Sequence, residues 1–186
     1  MKTPLFSFAA AIFFLACAAT TYSQSDAQPG EEPKLHNVST MELGATAKGS
    51  GAPINKDWPP NNALKAGTGR GGTMMGSPLK GARMDIRMIV PVDIKALEVI
   101  ALDYNGTQQP KAIDIFVDGK MVKHADLEEK VGQPIRVPLE AHGQVVGILI
   151  TDVHPERTLK DGKKGPSFGG WSRVRVLSTT NVPEML

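Results

Sequence analysis

Apolar residues fall on every second position in one stretch after another through the second half of the chain. Met84, Ile86, Met88 and Val90 alternate with Asp85 and Arg87, the period of a half-buried strand, and Pro91 is expected to end it. Leu97, Val99 and Ala101 alternate with Glu98, Ile100 and Leu102, apolar on both faces as in a central strand. Asn105-Gly106 then turns the chain. Ile113, Ile115 and Val117 precede Asp118-Gly119 and a second short run over 120–124, so this segment predicts a two-residue hairpin, whose turn residues must accept positive φ. Ile135, Val137 and Leu139 form another strand, His142-Gly143 another turn, and 145–153 a largely apolar strand in which Gly147 is expected to mark a bulge. The last run, 171–177, places Trp171, Arg173 and Arg175 on one face and Val174 and Val176 on the other, also packed face, with Trp171 expected to be buried beside the two-glycine entry at Gly169-Gly170. With an edge strand over 36–43, the pattern predicts about eight strands and no helix: an all-β protein, an antiparallel β-sandwich.

Between those runs lie two long segments, 44–82 and 154–170, rich in glycine and proline and poor in aliphatic residues. If successive strands run antiparallel, both belong to one end of the sandwich, with the turns at 104–110 and 128–133, and the other end receives only tight links near Pro91, Gly119 and Gly143. Long loops on a rigid scaffold carry binding groups, so the loop end is the candidate site. Its candidate ligand residues are Trp58, able to stack on a sugar face, and Arg70, His154 and Arg157, able to donate hydrogen bonds to a polar ligand.

Composition sets the remaining limits. The chain has 186 residues, 41% of them hydrophobic, enough for one globular domain with extensions. A net charge of +2 with dispersed basic residues disfavours nucleic acid as a partner. Aromatic residues make up 5%, too few for a broad stacking platform. Lys2 followed by an apolar run over 4–19 reads as a secretory signal. Two processing routes compete: Ala16-Cys17-Ala18 offers an ordinary cleavage site, and Leu15-Ala16-Cys17 resembles a lipobox with Phe14 at its head, in which Cys17 carries the lipid. Cys17 is the only cysteine, so an intrachain disulfide and a thiolate metal cluster are both excluded. The expected organisation is a signal over 1–18, a polar tether over 19–34, the β-sandwich over 35–178 and a C-terminal tail over 179–186, in an exported protein that is periplasmic, secreted or anchored to the membrane through lipid alone.

Candidate chemistry is sparse. Residues 67–72 match G-x-G-x-x-G, but neither a preceding buried strand nor a following helix accompanies them, as a dinucleotide site requires. His36, His124, His142 and His154 lack metal spacing. Asp114, Asp118, Asp152 and Asp161 sit on separate strands and turns, so a hydrolytic carboxylate pair is not legible. Neither a cofactor nor a catalytic set is expected.

Pro60-Asn61-Asn62-Ala63-Leu64, then Gly67, Thr73, Ser77-Pro78 and the strand from Met84 to Met88, resemble the opening of discoidin-like (coagulation-factor type C) domains, whose usual pattern is Asn-Ala-Leu-Asp-Gly, then Thr-x-Trp, then a strand. Gly169-Gly170-Trp171-Ser172-Arg173-Val174-Arg175-Val176-Leu177 is similar to the terminal strand of that family, and the resemblance spans roughly 35–177. It implies a galactose-binding-like jelly roll and a non-catalytic recognition module, commonly for sugars and sometimes for lipid head groups or proteins; joined to the secretory leader, the expectation is carbohydrate recognition at the cell envelope, with a protein-interaction or assembly module binding another envelope protein as the alternative. Lys65 stands where the family commonly has the Asp of a structural calcium loop, and Met75 stands near the usual Trp. A lysine repels Ca²⁺, so calcium is not carried over.

Overall fold

Burying one face of each alternating run demands a second sheet to cover it. The computed structural model, which describes residues 33–65 and 72–185, meets that demand with eight antiparallel strands and no α-helix among the described residues. They are β1 (His36–Asn37), β2 (Thr46–Ser50), β3 (Thr73–Met75), β4 (Arg83–Ala101), β5 (Pro110–Val117), β6 (Lys120–Asp126), β7 (Ile135–Val153) and β8 (Gly169–Ser178). The ladder runs β1-β8-β4-β7-β5-β6, with β2 added to β4 and β3 to β8.

Two strands of 19 residues, β4 and β7, fold this ladder into a sandwich. Up to Arg87, β4 pairs with β2 and with β7 from Val145 onward, forming a front sheet β2-β4-β7-β5-β6. From Val92, β4 pairs with β7 up to Gly143 and with β8, forming the back sheet. Residues 88–91 of β4 face the single residue Gln144, and that excess length makes the corner. Gln144 Nε2 donates to the carbonyls of both Met88 and Ile89, each at 3.0 Å, satisfying oxygens that the ladder leaves out. Pro91, exposed and without an N–H, sits at this corner and does not end a strand; His142-Gly143 likewise lies inside β7 and is not a turn.

The hairpin at Asp118-Gly119 is formed as expected, with φ of 47° and 82° and Val117 opposite Lys120. The Asp118 carboxylate also accepts from the backbone N–H groups of Gln144 and Val145 at 3.2 and 2.9 Å, tying the hairpin to the corner. One core lies between the sheets. Met84, Ile86, Ile113, Ile115 and Ile148 enter from the front and Leu97, Val99, Val174 and Val176 from the back, all at most 1% exposed. Fully burying each such aliphatic side chain contributes about 1.5–3 kcal/mol.

Two differences from the sequence pattern concern faces. Ile100 pairs with Arg173 but Ala101 pairs with Trp171, so a register shift at Ser172 turns Trp171 inward, onto the same side as Val174 and Val176. Residues 36–43 hold only the short β1 and a 3-10 turn over Met41–Leu43. Segment 44–82 is not all loop either. It contains β2, β3 and a 3-10 turn over Pro60–Leu64 whose Pro60, Ala63 and Leu64 are buried, and Asn61 Oδ1 accepts from the Ala47 N–H. The Asn-Ala-Leu motif that carries the family resemblance is therefore a core plug.

Candidate binding site at the loop end

Because β4 and β7 double back at the corner, their starts and ends all reach the same end of the sandwich. Ser50 of β2 pairs with Arg83, Pro110 of β5 with Val153, Ile135 of β7 with Val99, and Gly169 of β8 with Met75, which gathers segments 51–65, 102–109, 127–134 and 154–168 at that end. The corners, the Asp118-Gly119 hairpin and Gly44 occupy the other.

The loops are held by buried polar groups. Leu102 N–H donates to Gly170 O at 2.9 Å and Gln108 N–H to Phe168 O at 2.9 Å. The Leu102 carbonyl accepts from Thr107 Oγ1 at 2.6 Å and Gln109 Nε2 at 2.9 Å, and both of those side chains are buried. Asn105 and Gly106, at φ of 48° and 72°, make the tight turn, against which Gly165 packs so closely that a Cβ there would lie 2.5 Å from Gly106 O.

This scaffold brings Trp58 beside Tyr104, ring centroids 5.7 Å apart and tilted by 51°. Trp58 is half-buried and fixed through its backbone: its N–H donates to Asn55 O at 3.2 Å and its carbonyl accepts from Met74 N–H at 3.2 Å. Tyr104 is 43% exposed, and its N–H donates to Thr107 Oγ1. Next to Tyr104 in the chain, Asp103 Oδ1 accepts from Arg157 Nη1 at 3.3 Å. The aromatic pair and a solvent-accessible carboxylate–guanidinium pair are thus carried on the adjacent residues 103 and 104 of one loop, a combination that offers an apolar face together with hydrogen-bond donors and acceptors.

Of the residues expected at the site, Trp58 and Arg157 are brought to this cluster. His154 lies at the same end but acts as a staple: its N–H donates to Gln109 O, its carbonyl accepts from Gln108 Nε2, and its Nε2 lies 3.2 Å from Leu127 O, a contact that requires the proton on Nε2. Arg70 and Cys17 lie outside the described residues. Tyr104 and Asp103 are the site residues that sequence reasoning passed over. The available signal was a lone tyrosine within 35–178, placed in a turn where it has no strand to pack.

The other candidate groups are engaged elsewhere. Asp114 accepts from His124 Nδ1 at 2.6 Å and raises that imidazole above its ordinary pKa by this hydrogen bond. Asp118 is spent at the corner, and Asp152 and Asp161 are held below the usual carboxylate range, first by hydrogen bonds from Lys111 and Lys163 respectively. Among the described residues, no three His, Asp or Glu side chains converge as a metal site.

Neither a protein-family profile nor a curated protein matches the sequence. Solved structures do. The chain is similar to a family 32 carbohydrate-binding module of Clostridium perfringens solved with galactose, at 10% identity and a TM-score of 0.60 over 78% of this chain and 100% of that one. It is similar to a fucose-binding module of Streptococcus pneumoniae at 14% identity, TM-score 0.52, over 76% and 96% of the two chains. It also resembles a chitosan-binding module from a Paenibacillus chitosanase/glucanase at 10% identity, TM-score 0.56, over 76% and 98%. The protein has the galactose-binding-like jelly-roll fold to which discoidin-like domains belong.

Proposed function

We propose that this chain is an exported, non-catalytic carbohydrate-recognition module that acts at the cell envelope and binds its sugar at the loop end. The observations that carry this reading are the Trp58–Tyr104 ring pair and the Asp103–Arg157 ion pair, built from adjacent residues 103 and 104 where the long loops meet. A pyranose presents C–H groups on one face and hydroxyls at its rim. The aromatic faces take the former, while Arg157 donates to and Asp103 accepts from the latter. The two charges neutralise each other before a ligand arrives, so a neutral sugar meets no isolated charge. The contact is small, and affinities in the micromolar to millimolar range, roughly −4 to −8 kcal/mol, are expected. The similar solved structures that bind sugars support the same reading.

A glycan-array screen of the domain followed by calorimetry on the glycan retained tests this. Trp58→Ala and Tyr104→Ala should each weaken binding by roughly tenfold or more, with the folded spectrum intact. Wild-type affinity in both variants would remove the aromatic pair from the site.

The address rests on the leader. Export followed by acylation of Cys17 would tether the domain through residues 18–34, a spacer of roughly 3 Å per residue when extended. Mass spectrometry of the mature protein should find an acylated Cys17 at its N-terminus. An unmodified N-terminus beyond that residue would mean a soluble exported form.

A further inference from the structure

The outer face of the front sheet carries chemistry that the loop end does not use. Register places its side chains in rows across the strands. Thr46, Arg87 and Val145 form one row, and Lys48, Asp85, Gly147 and Phe116 the next. Arg83 leans over that second row: its guanidinium carbon lies 4.6 Å above the centre of the Phe116 ring, and its Nε and Nη2 both donate to Asp85 Oδ1, at 2.9 and 2.8 Å. Gly147 makes room for this pair, since a Cβ there would lie 2.6 Å from Arg83 Nη2 and 2.7 Å from Asp85 Oδ1. The expected bulge at Gly147 is absent, and the glycine stays in register with both neighbours.

The clamp engages only Oδ1 and leaves Oδ2 of Asp85 as an acceptor, and Asp85 lines a depression of about 130 Å³ together with Thr46, Lys48, Arg87 and Val145. Lys48 and Arg87 flank it, both exposed and neither paired with a carboxylate among the described residues. Two free cations attract an anion. A bare anion, however, would face the Asp85 charge, whereas a ligand that carries a carboxylate beside a hydroxyl satisfies both: its carboxylate accepts from Lys48 and Arg87, and its hydroxyl donates to Asp85 Oδ2. Val145 offers the apolar surface on which a sugar ring rests. The depression takes the carboxylate-bearing edge of one unit, with the ring and the rest of the polymer lying across the open sheet.

We propose that this face is a second glycan site that recognises a uronic-acid residue of an acidic polysaccharide. It is spatially separate from the aromatic pair and stands whether or not the loop end binds sugar.

The test is titration of the domain with trigalacturonate, followed by backbone amide shifts, beside its methyl ester, which removes the charge and keeps the chain, and beside inorganic sulfate. The acid should shift amides in Thr46–Ser50 and in 83–87, with the ester at least about tenfold weaker. Lys48→Gln and Arg87→Gln should each cost about tenfold, and Trp58→Ala should leave this binding unchanged. Gly147→Ala should weaken it as well, because the added methyl meets only side-chain ends and displaces the clamp while the sheet remains. If that variant fails to fold, the lysine and arginine variants still decide the matter. Equal binding of acid and ester, sulfate matching the acid in affinity and shifts, or no shifts on these strands up to about 10 mM ligand would each overturn the proposal.

Discussion

Replacing Trp171 by alanine should destabilise the domain by about 3 to 5 kcal/mol, the range for deleting a fully buried large aromatic side chain. The ring is 0% exposed and belongs to the core cluster shared by the two sheets. Its indole N–H has no hydrogen-bond partner, so the ring contributes through packing. Trp171→Phe, which keeps most of the apolar bulk and abandons no acceptor, should therefore recover most of the loss. Urea unfolding reads both variants. The alanine midpoint should fall by more than about 1 M at the slope usual for small domains. An unchanged midpoint would contradict the inward placement of Trp171 and with it the register shift at Ser172.

Gly170→Ala should be of comparable severity, for the opposite reason. Gly170 has φ of 149°, and a Cβ would lie 2.0 Å from the carbonyl oxygen of Thr73 and 3.0 Å from its carbonyl carbon. Those atoms are backbone, so β3 itself must move away from β8. Strain at φ and forced overpacking together cost roughly 2 to 6 kcal/mol. Gly81→Ala is the control. Its φ is 90° but nothing lies within 4 Å of the added methyl, so only the strain of about 1 to 3 kcal/mol remains. The consequence reaches the binding site, because Met74 of β3 donates its N–H to the Trp58 carbonyl. At a temperature where Gly170→Ala is still folded it should bind glycan more weakly than wild type, and Gly81→Ala should not. Equal midpoints for the two glycine variants in urea would show that β3 does not press on Gly170.

The gathering of long loops at one end was legible because it follows from strand alternation and turn chemistry alone. Asp118-Gly119 and Asn105-Gly106 both adopt the positive φ that their composition implies. What a single sequence obscured was strand continuity. Pro91 and His142-Gly143 carry the signs of chain reversal, yet each lies where a long strand crosses from one sheet to the other, and a corner needs the same local freedom as a turn. The end assignment survived that misreading, since a bend and a hairpin at the same point return the chain equally. β2 escaped notice because Ala47 alone among its residues is buried, leaving no alternation to detect. The inward rotation of Trp171 depends on a one-residue shift against β4, a property of the pairing and not of either strand's pattern. Trp58 and Arg157 were legible as loop residues able to stack and to donate. Their partners were not, because Tyr104 and Asp103 reach them across 46 and 54 positions of sequence, and such contacts exist only once the loops are assembled.

Sugar recognition at the loop end is tested most directly by titrating the ¹⁵N-labelled domain with a neutral glycan retained in the array screen and mapping the amide shifts. Saturable shifts are expected at Trp58, at Asp103, Tyr104 and Gly106, and around Arg157, with the corner residues Asp118, Gly119 and Gln144 unmoved. Shifts confined to the corner end or to a sheet face would contradict sugar recognition at the loop end, as would the absence of any neutral glycan that binds.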